Sequence, residues 1–435
     1  AISSISTDVA SSVDMLDIAE IEIQGARDLG SALRRVSSVK MDYSSSGKQT
    51  ISIRGSNATD VAVFLDGVRL NDANTGVADL STIDLNALEQ IQVIKGGNSS
   101  LFGSGAIGGV LNMESKTAQK NSLYLNSGAG QTYDDDMDLS LGATAVLGPA
   151  GIGGRYTAKA RAFGGRTTTT SLFANAFGGL DLRSGRLDMR WFQLNKNLEF
   201  PSGSVDSGDS LSILSVNYRG DILGTSGWKF LAGLKDWSLN QDFFSSLNEY
   251  LSDHSRNIHV SKFINWWDFE GTVQYEAEYQ TFDGDKSYFN INGDPVVHHI
   301  ADMERNTNAL AFVTRWSADA DHPNIDFINW ELSYRMDQIE TFQNEHYEFP
   351  LLVTEGQPII YDVPQSRELK HVSSKRLGIH LEGRGEKTWY SIFVNQGNNQ
   401  RLPTLADLFR FSNTETDSLL DSLLSSEYLN TTELN

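Results

Sequence analysis

Residues 51 to 115 constrain this chain more than any other stretch. Three apolar runs, Val61 to Leu65, Ile91 to Ile94 and Val110 to Met113, are punctuated by glycine-bearing turns. The turns are Asp66-Gly67, Gly96-Gly97, then Gly103, Gly105, Gly108 and Gly109. Glycine tolerates positive φ and close backbone approach, so the pattern predicts short strands packed through sharp turns.

The rest of the chain has a different texture. From about residue 121 it falls into segments of roughly ten residues that alternate with period two, as barrel strands do. Trp330, Leu332, Tyr334 and Met336 face one way, and Glu331, Ser333, Arg335 and Asp337 the other. Faces filled by Arg and Glu favour a wide wet lumen over a dry sandwich core. About thirteen strands fit between residues 121 and 397, joined alternately by short turns and by long links at 196–209, 241–254, 282–306 and 342–372. That asymmetry is expected of an outer-membrane barrel. Aromatics gather at strand ends (Trp228, Trp237, Trp266-Trp267, Trp389-Tyr390), where interfacial girdles belong.

Composition agrees. The 435 residues carry no Cys, which removes disulfide and thiol chemistry. A net charge of −21 argues against nucleic acid as a partner. No apolar run reaches the length of a membrane helix, and a mean hydropathy of −0.32 suits alternating strands. The chain opens at Ala1 without a basic-then-apolar leader, which reads as a form from which any secretory signal has been removed.

Four motifs in one order resemble the plug of TonB-dependent outer-membrane transporters. They are Ile53-Arg54-Gly55, Phe64-Leu-Asp-Gly-Val68, Glu89-x-Ile-x-Val-Ile-Lys-Gly96 and Ser100-Leu-Phe-Gly-Ser-Gly-Ala-Ile-Gly-Gly-Val-Leu-Asn112. The resemblance implies an α+β plug inside an antiparallel transmembrane β-barrel in the outer membrane of a Gram-negative cell. It divides the chain into an N-terminal arm (1–20), a plug (21–118) that opens on a short amphipathic helix over Ala26 to Val36, and a partial barrel with long extracellular loops (119–435). Ile2 to Ile5 and Val13 to Ile18 are the candidate sites for a TonB box, with an ordinary linker as the plainer reading of both. Plugged transporters close 22 strands around the plug, so about nine are expected from a second polypeptide. Residues 401 to 427 resemble a family segment that lies in an extracellular loop.

Nothing in the sequence looks catalytic, and the expected activity is not an enzyme's. By the resemblance, Arg54, Glu89 and Lys95 stand where the family pairs plug with barrel wall; Lys95 replaces the usual Arg and loses its bidentate fork. Asp66, Gly67, Gly96, Gly103, Gly105, Gly108 and Gly109 make the plug turns. The outward plug apices, Asn71 to Val77 and Gly96 to Phe102, are where the family meets its small-molecule substrate, which singles out Asn71, Asp72, Asn74, Ser99 and Phe102. Phe243, Phe244, Tyr288, Phe289 and Tyr347 offer stacking surfaces or pack among themselves. His298, His299 and His346 read as solvated loop residues, because their spacing enforces no metal geometry. Asp283, Asp285 and Asp294 lack the central Gly and closing Glu of a calcium loop, so no cofactor is expected, with a looser calcium site in the loops as the alternative. The functional expectation is uptake of a scarce nutrient (siderophore, cobalamin, carbohydrate or similar), driven by the inner-membrane proton gradient through a TonB-type coupling protein. The rival is a plug-bearing half-barrel acting as a scaffold in a larger outer-membrane complex.

Overall fold

The computed structural model describes residues 12–434 apart from 24–25, 27, 45–47, 74, 132–133, 164–166, 200–205, 244–246, 268, 291–292, 323–324, 355–356, 385–388, 402–403 and 405–426. Its first part is a small mixed unit. Strand β1 (Val13–Asp17) runs into helix α1 (Ile18–Ile23), followed by α2 (Leu29–Leu33) and the hairpin β2 (Val39–Tyr43) and β3 (Gln49–Ile53). Then come β4 (Val61–Leu65), β5 (Val68–Arg69), β6 (Leu88–Lys95), α3 (Ser99–Phe102) and β7 (Gly109–Ser115). The main sheet has the order β1-β6-β7-β4-β5, with β4 parallel to β7 and the other pairs antiparallel. All five residues of β4 are buried, as its unbroken apolar run requires of a strand covered on both faces. Helix α2 starts on a capping box: Ser31 N–H donates to Asp28 Oδ1 (2.7 Å) and Asp28 N–H donates to Ser31 Oγ (3.2 Å).

Two expectations change here. The N-terminal arm is not an arm from residue 13 onward. Val13, Leu16 and their neighbours pair antiparallel with β6, and Ile18 and Ile21 enter the core, because this stretch carries enough apolar side chains to bury. Ile2 to Ile5 lie outside the described residues. The predicted helix over 26–36 shrinks to Leu29–Leu33, and Ser38 takes a left-handed φ of 66° soon after.

The second part is one antiparallel sheet in chain order. Its strands are β8 (Ser122–Gln131), β9 (Asp134–Leu147), β10 (Ala150–Phe163), β11 (Thr167–Leu182), β12 (Gly185–Glu199), β13 (Asp206–Ile222) and β14 (Thr225–Phe243). It continues with β15 (Leu247–Trp266), β16 (Phe269–Phe289), β17 (Pro295–His322), β18 (Ile325–Thr354), β19 (Gln357–Arg384), β20 (Trp389–Arg401) and β21 (Glu427–Leu434). That is fourteen strands against about thirteen expected. The extra one is β21, which pairs with β20 at the end of a segment expected to be loop. Strands β8 and β21 do not pair with each other, so the sheet is a partial barrel.

The long links expected at 282–306 and 342–372 are mostly strand. The β16–β17 ladder continues to Phe289 and Pro295, and the β18–β19 ladder to Thr354 and Gln357. Pairing satisfies the backbone groups that an irregular loop would leave to water. Across the wall the faces separate as the sequence alternates. Trp330, Leu332, Tyr334 and Met336 are 39–53% exposed, while Glu331, Ser333, Arg335 and Asp337 are buried. Large apolar side chains in continuous exposed rows need lipid against them. Trp266 and Trp267 sit exposed at a short-turn end, as a girdle requires, but Trp237 turns inward, packs against the core and donates to Asp209 (2.8 Å).

Candidate functional site at the seam between plug and wall

The two parts meet along a seam, and the chemistry differs from side to side. Phe173, Phe192, Leu194, Leu211 and Ile213 of β11 to β13 join the same buried cluster as the plug's Ile53, Leu65, Leu88 and Met113. On that side the contact is mostly apolar, with charged pairs set among it. Across from it, α3 and the residues before it meet β18 to β20 through hydrogen bonds. Arg376 donates to Asn98 Oδ1 (2.6 Å), Ser99 N–H to Asn399 Oδ1 (3.2 Å), and Gly105 N–H to the Gln400 carbonyl (3.3 Å). The Ser100 and Ser333 hydroxyls lie 2.7 Å apart.

Buried charges pin the seam at three further points. The turn between β4 and β5 places Asp66 and Gly67 at φ 51° and 84°, the conformation that tight hairpin turns of this kind need. That turn aims the Asp66 carboxylate at the wall, where it accepts from Arg190 Nη1 (2.5 Å) as well as from Ser115 N–H (3.0 Å) and Ser115 Oγ (2.6 Å). Asp84, fully buried, accepts from Thr157 Oγ1 and Lys159 Nζ, each at 2.8 Å. Burial alone would raise its pKa, but Lys159 and the hydrogen bonds outweigh that and hold the carboxyl below its ordinary range. Buried Lys235 bridges Asp253 (2.8 Å) and the Asn71 carbonyl (3.1 Å), and Asp253 also accepts from Ala73 N–H (2.7 Å).

Of the three residues expected to pair plug with wall, Lys95 and Glu89 have partners elsewhere. Lys95 bonds inside the plug, to Asp14 (2.6 Å) and Ser37 (2.8 Å), because β1 occupies the edge beside it. Glu89 accepts from Thr117 and Gln119 in the segment leading to the wall. Arg54 is exposed with a left-handed φ of 53°, and its N–H donates to the Ser38 carbonyl. Of the glycines, Gly96, Gly103 and Gly105 have positive φ near 80–90°, and Gly109 at φ 155° leaves no room for a Cβ beside the Ile94 carbonyl.

The expected substrate-facing residues are mostly inside. Asn71 is buried and braces its own loop, accepting from Val63 N–H and donating to the Val61 and Gly76 carbonyls. Ser99 is spent on the wall and Phe102 packs on Phe64, ring centres 5.9 Å apart. Asp72 accepts from Thr75, and burial pushes its carboxyl up. Asn74 lies outside the described residues.

In the tall hairpins these three histidines lie on strands and have partners. His298 Nε2 meets Asp285 (2.8 Å), His346 Nδ1 meets Asp362 (2.6 Å), and both imidazoles flank Glu348 (3.6 and 3.5 Å). An acid–imidazole ladder thus crosses β16 to β19. His299 stacks on Tyr347 at 4.0 Å on the other face, so that tyrosine is covered rather than offered to a ligand. Asp283 accepts from Ser252, and Asp294 from Asn290. Phe244 and the side chain of Phe243 lie outside the described residues.

Comparison with known proteins fits this architecture. Residues 6–110 match the TonB-dependent receptor plug domain. That stretch is such a plug, and the strands after it form a partial barrel. It is 31% identical over 142 residues to the vitamin B12 transporter of Vibrio cholerae serotype O1, a stretch covering 32% of this chain and 23% of that protein. Over 135 residues it is 33% identical to the vitamin B12 transporter of Photobacterium profundum, covering 31% and 22%. The chain thus spans about a quarter of the length of the curated relatives it matches. Among solved structures, the ferric yersiniabactin uptake receptor of Yersinia pestis aligns with a TM-score of 0.70 at 12% identity, over 90% of this chain and 65% of that one. The copper transporter OprC aligns with a TM-score of 0.73 at 12% identity, over 99% and 69%. At such identities the likeness is one of fold. These relatives and neighbours are transporters and receptors, none an enzyme.

Proposed function

We propose that this protein takes up a scarce nutrient across the outer membrane of a Gram-negative cell, driven by a TonB-type coupling protein. The observation that carries the reading is the two-sided seam: a stopper packed on apolar side chains at β11 to β13 and held by hydrogen bonds at β18 to β20. Hydrogen bonds re-form with water at small net cost, whereas apolar area does not. A pull on the plug therefore parts the polar side first and leaves the apolar side as a hinge.

Residues 12–17 are connected to that polar side. Strand β1 is the edge of the plug sheet, with Asp14 on Lys95 and the Ser12 carbonyl accepting from Lys95 N–H. Three residues after Lys95 come Asn98 and Ser99, which hold the wall. Tension on residues before Ser12 loads Lys95 and, through it, the hydrogen-bonded side.

Energised uptake tests this. Cells carrying the protein should accumulate a labelled candidate substrate, such as a metal chelate or a cobalamin, and lose accumulation when a protonophore or deletion of the coupling protein removes the drive. Uptake indifferent to both treatments would sink the reading and favour a scaffold role. An unpaired strand edge in lipid costs several kcal/mol per backbone group, so β8 and β21 are read as paired by further strands. Intact mass of the purified protein tells whether those come from the same polypeptide or a second one.

A further inference from the structure

We propose that a latent passage runs along the seam beside β15 to β18, closed at its neck by the side chain of Arg69. Two cavities line this part of the seam. One, of about 550 Å³, is lined toward the short-turn end by Gly227, Trp228 and Phe263. The other, of about 100 Å³, lies toward the tall hairpins between Asp72, Thr307 and Thr404. Arg69, Glu276 and Glu278 line both. The cavities therefore approach one another at three charged residues.

Arg69 is the plug residue among those three, and among the described residues its hydrogen bond is to the plug. Its guanidinium donates to the Ser104 carbonyl and lies over the Phe64 ring at 5.9 Å. Glu276 belongs to the wall and accepts from Arg335 (2.8 Å), which also donates to Asp337 (2.8 Å). The neck is thus a plug cation set against a wall network of one arginine and three carboxylates. Without the Arg69 side chain the two spaces merge past Glu276 and Glu278, and the remaining groups carry a net negative charge. Carboxylates around a constriction favour cations. The use of this passage in uptake rests on the import reading, whereas its existence rests on the geometry of the neck.

Conductance across planar lipid bilayers holding the purified protein decides the matter, and the absence of cysteine allows a chemical closure of the same site. Wild type is expected to be silent. Arg69→Ala and Arg69→Cys should give discrete currents that prefer cations, and Glu278→Gln in the Arg69→Ala background should weaken that preference. Treating Arg69→Cys with the trimethylammonium methanethiosulfonate MTSET returns a cation to the neck and should abolish the currents, while the sulfonate reagent MTSES should not. Asp84→Asn, which loosens the seam on the opposite side, should stay silent. Wild-type currents, silence of a folded Arg69→Ala protein, currents without cation preference, equal closure by both reagents, or matching currents from Asp84→Asn would each overturn the proposal. Failure of energised uptake in wild type would leave these currents unaffected and count only against the import reading.

Discussion

Asp66 Oδ1 and Arg190 Nη1 stand 2.5 Å apart across the seam, both side chains more than nine-tenths buried. Asp66 is also a turn residue with positive φ, so one side chain reports whether the hairpin and the wall are in register at once. Removing one partner of a buried pair leaves the other charge uncompensated, at about 3 kcal/mol or more. Asp66→Asn keeps a residue tolerant of that φ and removes the charge together with one acceptor oxygen. We expect amide exchange in β4 and β5 to accelerate by about two orders of magnitude at 1.4 kcal/mol per tenfold. The double variant Asp66→Asn/Arg190→Met should recover part of the loss; no recovery would mean the pair is not what holds this hairpin.

Gly67 meets two demands together. Its φ is 84°, and a Cβ built on it would lie 2.6 Å from Leu231 Cδ2 of the wall. Gly67→Ala should therefore destabilise the plug by about 1–3 kcal/mol. Adding Leu231→Ala relieves the contact but not the dihedral, so stability measured by denaturant should return only in part. Full recovery would show that space alone was limiting.

The pH response of the tall hairpins follows from His346. A hydrogen bond to Asp362 raises its pKa above the ordinary value, with Glu348 adding to the effect. It lies 21 residues along β18 from that strand's start at Ile325, well beyond the roughly ten residues that cross a membrane. A raised histidine pKa contributes stability that is complete below about pH 6.5 and is lost as pH rises through the folded value. Exchange protection of the β18–β19 hairpin should fall between pH 6 and pH 8, near the histidine range, and His346→Gln should flatten the profile. A profile unchanged by that substitution would assign the response elsewhere.

Asp84 gives the opposite sign. Its carboxyl is held below the ordinary value of about 3.9, so its contribution is present above that value and lost as pH falls through the lower folded one. Acidification should free the plug on the Thr157–Lys159 side before the wall unfolds. Limited proteolysis of the plug at falling pH, compared with Asp84→Asn, reads this directly; identical curves would contradict it.

Much of the architecture was legible because period-two alternation and glycine turns are local signals. The β18 stretch from Trp330 to Asp337 separates lipid-facing from inward side chains just as it is spelled. The partners across the seam were not legible. Asp84 lies more than seventy positions from Thr157 and Lys159, and Asn98 about 280 from Arg376. A short polar side chain at the head of a turn looks the same whether it caps that turn or reaches across to a wall. Asp66 was expected to shape its turn, yet nothing nearby in sequence announces Arg190. Lys95 misled for a related reason: its pairing depends on β1, a strand whose few alternating residues resemble a tether.

The strands of the wall lengthen from 14 residues in β9 and β10 to 30 in β18. At about 3.3 Å per residue that difference is roughly 50 Å along the strand. The rim is therefore a slope, low beside β8 to β10 and high over β17 to β19. The plug is thus reached by a short lateral approach on one flank, while on the other stands a long hydrogen-bonded cliff that bears the imidazole ladder.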